Sequence, residues 1–152
     1  MSGGASSRAT PRERIDRTRA RAWVLQILYR HESDSAPREL VDVLVEVGRT
    51  RRIAPARIPM IREILGIIEE HGQEIDATLS QFTRNWRLDR LSRIDRSILR
   101  IGAAELLHRP DVPGPVAIQE SVRLAERYGG NESSGFVNGV LDAVYRSCAS
   151  SS

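Results

Sequence analysis

Lysine is absent from this sequence of 152 residues, in which all 23 basic residues are arginine. A chain that encodes every basic residue as arginine places some of them where no anion binds, so each arginine is weaker evidence for an anionic partner. The net charge of +3 and the isoelectric point of about 9.7 indicate only a mild preference for such partners. Any single arginine is therefore interpreted first as a solvated surface charge.

Cysteine and long apolar segments are equally scarce. Cys148 is the only cysteine, which excludes a disulfide within the chain. Residues 1–7 lack the apolar core of a signal peptide, and the longest apolar run is far too short to cross a membrane. These absences predict a reducing, cytoplasmic compartment and no membrane association.

Strand-like alternation is also missing, whereas apolar residues recur at helical spacing throughout. We therefore expect an all-α protein, a compact bundle of six to seven helices. One domain is expected over residues 12–146, between disordered tails at 1–11 and 147–152. The longest apolar stripe, from Ile61 to Phe82, predicts a central helix, and Gly72 on its buried face would allow another helix to approach closely.

Proline and glycine predict several helix boundaries. Pro37 should lie in the first turn of the second helix, and Gly48 should end it. Pro59 should open the third helix. A left-handed stop is expected at Gly129-Gly130, after the fifth helix.

Motifs for catalysis and metal binding are missing. His31, His71 and His108 fall in different helices without metal-ligand spacing, so each is interpreted as a surface or helix-end histidine. The chain has no phosphate-binding loop, no dinucleotide-binding glycine motif, no C-x-x-C and no nucleophile elbow. We expect no catalytic residue, no metal and no cofactor, and hence a protein that is not an enzyme.

Two carboxylates, Asp95 and Glu105, are the residues that most resemble a catalytic acid–base pair. Because Arg96 and Arg100 stand beside them, ion pairs on a helix surface explain them better.

The most informative segment is the arginine-rich stretch that leads into the first helix. Arg14, Arg17 and Arg21 fall on one helical face, and the apolar residues that follow, up to Tyr29, supply a stripe that faces the core. Arginines anchored to a packed helix are held in a defined geometry, and their planar guanidinium groups suit phosphates and nucleobases. The segment predicts a nucleic-acid-binding surface.

Three later blocks carry a resemblance to a known family. They are Ile94-Asp95-Arg96-Ser97-Ile98-Leu99-Arg100 with Glu105-Leu106, the stretch from Val112 to Ala125, and Glu132-Ser133-Ser134-Gly135-Phe136-Val137-Asn138-Gly139-Val140-Leu141-Asp142. Their order and spacing resemble the bacterial transcription antitermination factors of the NusB family. The arginines and the run Ala22-Trp23-Val24-Leu25-Gln26-Ile27-Leu28-Tyr29 resemble that family's opening helix.

The resemblance implies an all-helical fold of two three-helix subdomains and a role without catalysis. It implies binding to the single-stranded boxA RNA of ribosomal RNA leader transcripts, which promotes processive transcription of ribosomal RNA. The implied partner is the small-subunit ribosomal protein NusE, which docks the pair onto RNA polymerase as part of the antitermination complex. A homodimer is a further possibility within the family.

The resemblance also assigns RNA-binding residues. The family's arginine-rich motif maps onto Arg14, Arg17, Arg19 and Arg21, some of which must be bystanders because they cannot all face one way. Tyr29 falls where the family keeps an aromatic residue close to the RNA. A second RNA-contacting region starts the last helix and includes Glu132, Phe136 and Asn138.

Structural roles compete with several of these assignments. Tyr29 lies at the edge of an apolar stripe and could pack against the core, as could Phe136. Asn138 could bond a backbone carbonyl between helices. Where many relatives have aspartate, this chain has Glu132, which could alter a short contact.

Two other functions remain open. One is the RNA-binding accessory domain of certain ribosomal RNA cytosine methyltransferases, which shares this fold; the end of the chain soon after the sixth helix favours the stand-alone factor. The other is a protein–protein adaptor whose arginines meet acidic helices of a partner without RNA.

Overall fold

The computed structural model describes residues 8–35, 37–83 and 88–150, apart from the side chains of Asp89 and Ser150. Within these ranges the backbone forms no strand and six α-helices: α1 Pro11–Ser33, α2 Leu40–Thr50, α3 Ile58–Phe82, α4 Arg93–His108, α5 Gly114–Tyr128 and α6 Ser133–Ser150. Short 3-10 turns at Pro55–Arg57 and Leu88–Arg90 precede α3 and α4. The all-α prediction is confirmed.

The helices form two groups of three. α1, α2 and α3 pack against one another, as do α4, α5 and α6, and α4 also packs against α1 and α3. Ile98, Leu99 and Ile101 of α4 are fully buried, so this helix forms the centre of a core shared by both groups. The two three-helix subdomains implied by the resemblance are therefore present.

Local chemistry explains the start and the inner face of α1. The side-chain oxygen of Thr10 accepts a 3.1 Å hydrogen bond from the backbone N–H of Glu13, which caps the first turn. Ala20, Val24 and Ile27 recur at a spacing of three and four residues and are fully buried. One face of α1 is thereby fixed against the core, and the opposite face is left to solvent.

The bounds of α2 differ from the prediction. The helix starts at Leu40 rather than at Pro37, and it ends at Thr50 rather than at Gly48. The backbone N–H of Leu40 donates a 2.8 Å hydrogen bond to Oε1 of Glu69, a residue of α3. The start of α2 is thus capped from another helix, which the local sequence does not reveal.

The central helix α3 is not straight. His71 departs from helical geometry with φ −113° and ψ 19°, so the long apolar stripe continues across a kink. The expected close approach at Gly72 is also wrong, because a Cβ there would meet nothing within 4 Å. Helices meet closely at Gly102 of α4 instead, where a Cβ would lie 2.4 Å from Cδ1 of Leu141 and 2.7 Å from Oγ of Ser121.

Two predictions for the C-terminal half are wrong. Gly129 has φ −92° and ψ −175°, which is extended and not left-handed. A glycine is needed here because Ser133 packs against it: a Cβ at Gly129 would lie 2.6 Å from Oγ of Ser133. The expected tail at 147–152 is helical up to Ser150, since Cys148 packs against the core and anchors the last turn. Of the expected N-terminal tail, residues 1–7 lie outside the described ranges.

Candidate nucleic-acid interface

A basic groove runs along one side of the molecule. Its walls are α1, the segment that follows α2, and α5, and its larger part has a volume of about 720 Å³. A second hollow adjoins it and shares Gln26, Arg51 and Tyr128. Six arginines line the larger part: Arg19, Arg51, Arg52, Arg57, Arg123 and Arg127. Among the described lining residues only Glu120 and Glu126 are acidic, so the groove has an excess of positive charge that suits a polyanion.

Three arginines lie over aromatic rings in or beside this groove. The guanidinium carbon of Arg51 is 5.5 Å from the ring centroid of Trp23, and that of Arg127 is 5.6 Å from the ring centroid of Tyr128. Arg93 lies 5.8 Å from the ring centroid of Tyr29 in the same way. Each distance is within the range of a cation–π contact.

These pairs offer flat surfaces next to positive charge. Tyr29 is 43% exposed and Tyr128 is 37% exposed, so both rings are open to a ligand. Unpaired bases stack on aromatic or guanidinium planes while arginines hold the phosphates. The arrangement therefore fits single-stranded nucleic acid, whose bases are free to stack.

The N-terminal arginines do not act as one cluster. Arg19 lines the groove, whereas Arg14 and Arg17 are exposed on α1 and are not among the groove's lining residues. Nη1 of Arg14 donates a 3.0 Å hydrogen bond to the backbone oxygen of Ala9, and Arg17 lies 3.9 Å from the carboxylate of Glu13. RNA contact by Arg14 and Arg17 stays a prediction.

The assignment of Arg21 to the RNA-binding face is wrong. This arginine is 3% exposed, and it donates hydrogen bonds of 2.6 and 2.8 Å to both carboxylate oxygens of Glu105 on α4. Its third nitrogen is 3.4 Å from Oε1 of Glu120 on α5. Because its guanidinium is itself buried and paired with the buried Glu105 and the partly buried Glu120, Arg21 joins three helices and presents no face to RNA.

The interpretation of Glu105 as a surface ion pair is wrong for the same reason. Glu105 is 1% exposed and also lies 3.7 Å from Arg109. Arg100 and Arg96, its expected partners, pair with Asp76 of α3 and Glu32 of α1. The charged residues of α4 thus tie neighbouring helices together.

The second region of the expected RNA site lies at the start of α6. Glu132 and Asn138 are exposed, while Phe136 is half-buried and packs against the core. None of the three is among the groove's lining residues. Tyr128 ends α5 inside the groove, and the short segment 129–132 leads from it to α6. A role for this region as a continuation of the groove stays a prediction.

Sequence reasoning missed most of the groove. The run Arg49-Thr50-Arg51-Arg52 and the pair Arg127-Tyr128 were visible as basic or aromatic residues. Nothing in their spacing showed that the end of α2 and the end of α5 would face each other across α1. Trp23, interpreted as a packing residue, supports Arg51 at the edge of that groove.

Two of the histidines, which lie in different helices as expected, come together in the fold although their sequence spacing is not that of metal ligands. His71 and His108 stack with ring centroids 3.9 Å apart, and Glu74 lies beside both. His31 is separate and forms a 2.6 Å hydrogen bond with the backbone oxygen of Arg38. Within the described ranges, the two stacked histidines and Glu74 are the one group that could hold a metal ion.

No helix in the described part of the chain combines the length and the apolar character needed to cross a membrane.

Comparison with known proteins adds to this geometry. A family model, that of the NusB family, matches residues 18–146. The transcription antitermination protein NusB of Myxococcus xanthus is 40% identical over 130 residues, which cover 84% of this chain and 93% of that protein. The protein of the same name from Dehalococcoides mccartyi is 38% identical over 133 residues, with coverages of 88% and 92%.

Solved structures share the fold. NusB of T. maritima superposes with a TM-score of 0.78 at 34% identity, covering 86% of this chain and 90% of that one. A chain in the crystal structure of antitermination factors NusB and NusE in complex with dsRNA gives a TM-score of 0.76 at 25% identity. That match covers 88% of this chain and 98% of the other.

Proposed function

This chain belongs to the NusB family of transcription antitermination proteins, and we propose that it binds the single-stranded boxA RNA of ribosomal RNA leader transcripts. The family is one of regulators rather than enzymes, so the site is a binding surface without catalytic residues. In this proposal the RNA is bound jointly with the small-subunit ribosomal protein NusE, and the pair joins the antitermination complex on RNA polymerase.

The observation that carries the proposal is the groove with its arginine–aromatic pairs. Arg51 over Trp23 and Arg127 over Tyr128 place positive charge and flat surfaces side by side along one path. Double-stranded RNA hides its bases, so aromatic surfaces of this kind serve single-stranded RNA better. We assign phosphate contacts to the groove arginines, Arg19 among them, and base stacking to Tyr29 and Tyr128.

Residues outside the groove extend the proposed site. Arg14 and Arg17 continue the positive charge along α1 towards its start. At the other end, the exposed Glu132 and Asn138 and the half-buried Phe136 follow the segment that leaves Tyr128. A single strand that entered along α1 and left past the start of α6 would contact all of them.

A fluorescence anisotropy titration tests the proposal. A short labelled RNA with the boxA sequence and a scrambled RNA of equal length are titrated with the full chain, alone and with NusE present. We expect the boxA RNA to bind more tightly than the scrambled RNA, and we expect NusE to strengthen boxA binding further. Equal affinity for both RNAs, with and without NusE, would contradict the boxA assignment.

The two competing functions give different results in the same titration. A protein–protein adaptor would bind NusE or another protein but show no RNA dependence. The methyltransferase accessory domain is not favoured, because the relatives described above are antitermination proteins that this chain matches over 92–93% of their lengths. Such a domain would bind RNA without any response to NusE.

A further inference from the structure

A cluster of metal-ligand types lies where the kink of α3 meets the end of α4, away from the RNA groove. His71 and Glu74 stand one turn apart on α3, and His108 is the last residue of α4. Nε2 of His108 is 2.6 Å from Oε1 of Glu74, and Nδ1 of His71 is 3.7 Å from the same oxygen. Ligand atoms of all three side chains lie within 4.8 Å of one another.

The spacing of these atoms is close to that of a metal site. A zinc ion with bonds of about 2.0–2.1 Å in tetrahedral geometry places its ligand atoms about 3.3 Å apart. The distances of 2.6 and 3.7 Å to Oε1 of Glu74 fall on either side of that value. The two imidazole rings are stacked and nearly parallel, with centroids 3.9 Å apart and planes at 14°, so both must rotate out of the stack before their nitrogens can point at one ion.

The electrostatics and the access also favour a cation. Glu74 contributes negative charge, and the carboxylate of Glu70 lies 3.7 Å from Nε2 of His71. The side chains of His71 and His108 are 35% and 22% exposed, which lets an ion enter but shields part of its surroundings. Two imidazoles and one carboxylate suit zinc and its transition-metal neighbours, whereas magnesium and calcium prefer oxygen ligands alone.

A hydrogen bond explains only part of the arrangement. The contact of His108 with Glu74 satisfies one imidazole and one carboxylate oxygen. It does not require a second imidazole to stack on the first and face the same oxygen. The convergence coincides with the kink at His71, which departs from helical geometry within a helix of 25 residues.

We propose that His71, Glu74 and His108 bind one divalent transition-metal ion, with zinc the best fit, and that the ion clips the kink of α3 to the end of α4. Three protein ligands leave a fourth position for water, and Glu70 lies beside the ring nitrogen of His71 that faces away from Glu74. The bound ion braces α3 against α4 and adds to the stability of the fold. This inference does not depend on the RNA-binding proposal, since the cluster shares no residue with the groove.

Metal binding is measured on the untagged full chain. Cobalt(II) is titrated in as an optical probe, and zinc is then added as a competitor. We expect one equivalent of cobalt to bind with the visible absorption bands of a tetrahedral site, and one equivalent of zinc to displace it. In parallel, zinc should shift the imidazole NMR signals of His71 and His108 and leave those of His31 unchanged.

Matched variants locate the site. His71→Asn and His108→Gln should each weaken zinc binding by more than about tenfold, the loss that removal of even an outer-shell partner causes. His31→Gln removes the one histidine outside the cluster and should leave the affinity unchanged. Zinc should raise the melting temperature of the unsubstituted chain and of His31→Gln, but not that of the two cluster variants.

Several outcomes would overturn the proposal. One is the absence of stoichiometric binding in the unsubstituted chain, and another is binding that survives both cluster substitutions. Because the NMR titration uses the unsubstituted chain, it decides the question even if a variant fails to fold. RNA affinity that is the same with and without zinc agrees with the proposal, since the ion does not touch the groove.

Discussion

Arg21 of α1 and Glu105 of α4 form a two-pronged ion pair with hydrogen bonds of 2.6 and 2.8 Å, and both side chains are shielded from water. The pair belongs to a largely buried network that also includes the partly exposed Glu120 of α5 and the buried Arg109. Arg21, although it belongs to the most arginine-rich segment of the chain, thus stabilises the fold and is not available to bind a ligand.

Removal of one partner from this pair should destabilise the protein strongly. Glu105→Gln leaves the guanidinium of Arg21 buried with only Glu120 nearby, and breaking a buried ion pair costs about 3–5 kcal/mol. We expect the free energy of unfolding, measured by urea denaturation, to fall by about 3 kcal/mol or more. Arg17→Ala, on the exposed face of the same helix, should change it by less than about 0.5 kcal/mol. Similar values for the two variants would contradict the structural role of Arg21.

The groove arginines should control the salt dependence of RNA binding. Arg51→Gln and Arg127→Gln should each weaken binding, and each should reduce the slope of log affinity against log salt by about 0.7 if the residue contacts one phosphate. Arg146→Gln removes an arginine whose side chain is 79% exposed on α6, outside the groove, and should leave the slope unchanged. Equal slopes for all three variants and the unsubstituted chain would place the RNA elsewhere.

Tyr128 should contribute to RNA binding through its ring alone. If a base stacks on it, Tyr128→Ala should lose about 1–3 kcal/mol of binding free energy. Tyr128→Phe keeps the ring and removes only the hydroxyl, so its affinity should remain close to that of the unsubstituted chain. Anisotropy titrations of both variants make the comparison. A loss as large in Tyr128→Phe as in Tyr128→Ala would show that the hydroxyl, not the ring, binds RNA.

Two glycine substitutions should change stability in opposite directions. Gly102→Ala places a Cβ 2.4 Å from Leu141 where α4 and α6 meet, and such overpacking typically costs about 1–3 kcal/mol. Gly66→Ala lies on the exposed side of α3 with nothing within 4 Å of the new Cβ. It should stabilise the protein by roughly 0.5–1 kcal/mol, because alanine favours the helix. Thermal or urea unfolding of both variants measures the difference.

Glu46 should make stability depend on pH in the acid range. Hydrogen bonds from Arg38 first, and also from Arg30, hold the pKa of the Glu46 carboxyl below its ordinary value. The contribution of Glu46 is therefore fully present above the ordinary glutamate pKa of about 4.3 and is lost as pH falls through the lowered value. The stability difference between the unsubstituted chain and Glu46→Gln should be constant near neutral pH and shrink in acid. A carbon-13 NMR titration of the Glu46 carboxyl checks the direction of the pKa shift.

The sequence predicted the helices well because each one carries its own apolar periodicity. The inner face of α1, with Ala20, Val24 and Ile27, follows from spacing alone. Boundaries failed where another helix decides them, as when Glu69 of α3 caps the start of α2. The kink at His71 was equally invisible, since the apolar stripe continues on both sides of it.

Of the residues that line the groove, the sequence pointed only to those on a single helix, α1. Arg19 and Tyr29 of α1, both named from the sequence, line the groove and the hollow beside it, and their contact with RNA stays a prediction. Arg51 and Tyr128 were missed because their proximity arises from tertiary packing between distant segments. Arg21 was misassigned because periodicity shows which residues share a helical face. It does not show that Glu105, a buried carboxylate on α4, pairs with one of them. The pairing of His71 with His108 was missed for the same reason.

The ion-pair network around Arg21 also bears on how well the groove is ordered before a ligand binds. α1 and α5 both contribute walls to the groove, and Arg21 of α1 pairs with Glu105 of α4 and with Glu120 of α5. The spacing of α1 and α5 is therefore held by the fold itself, and the entropy lost in ordering these two walls is lost during folding rather than during binding. Such preorganisation strengthens association without any added contact. Arg21 thus helps to shape the groove that we propose as the RNA site, although its own charge is buried.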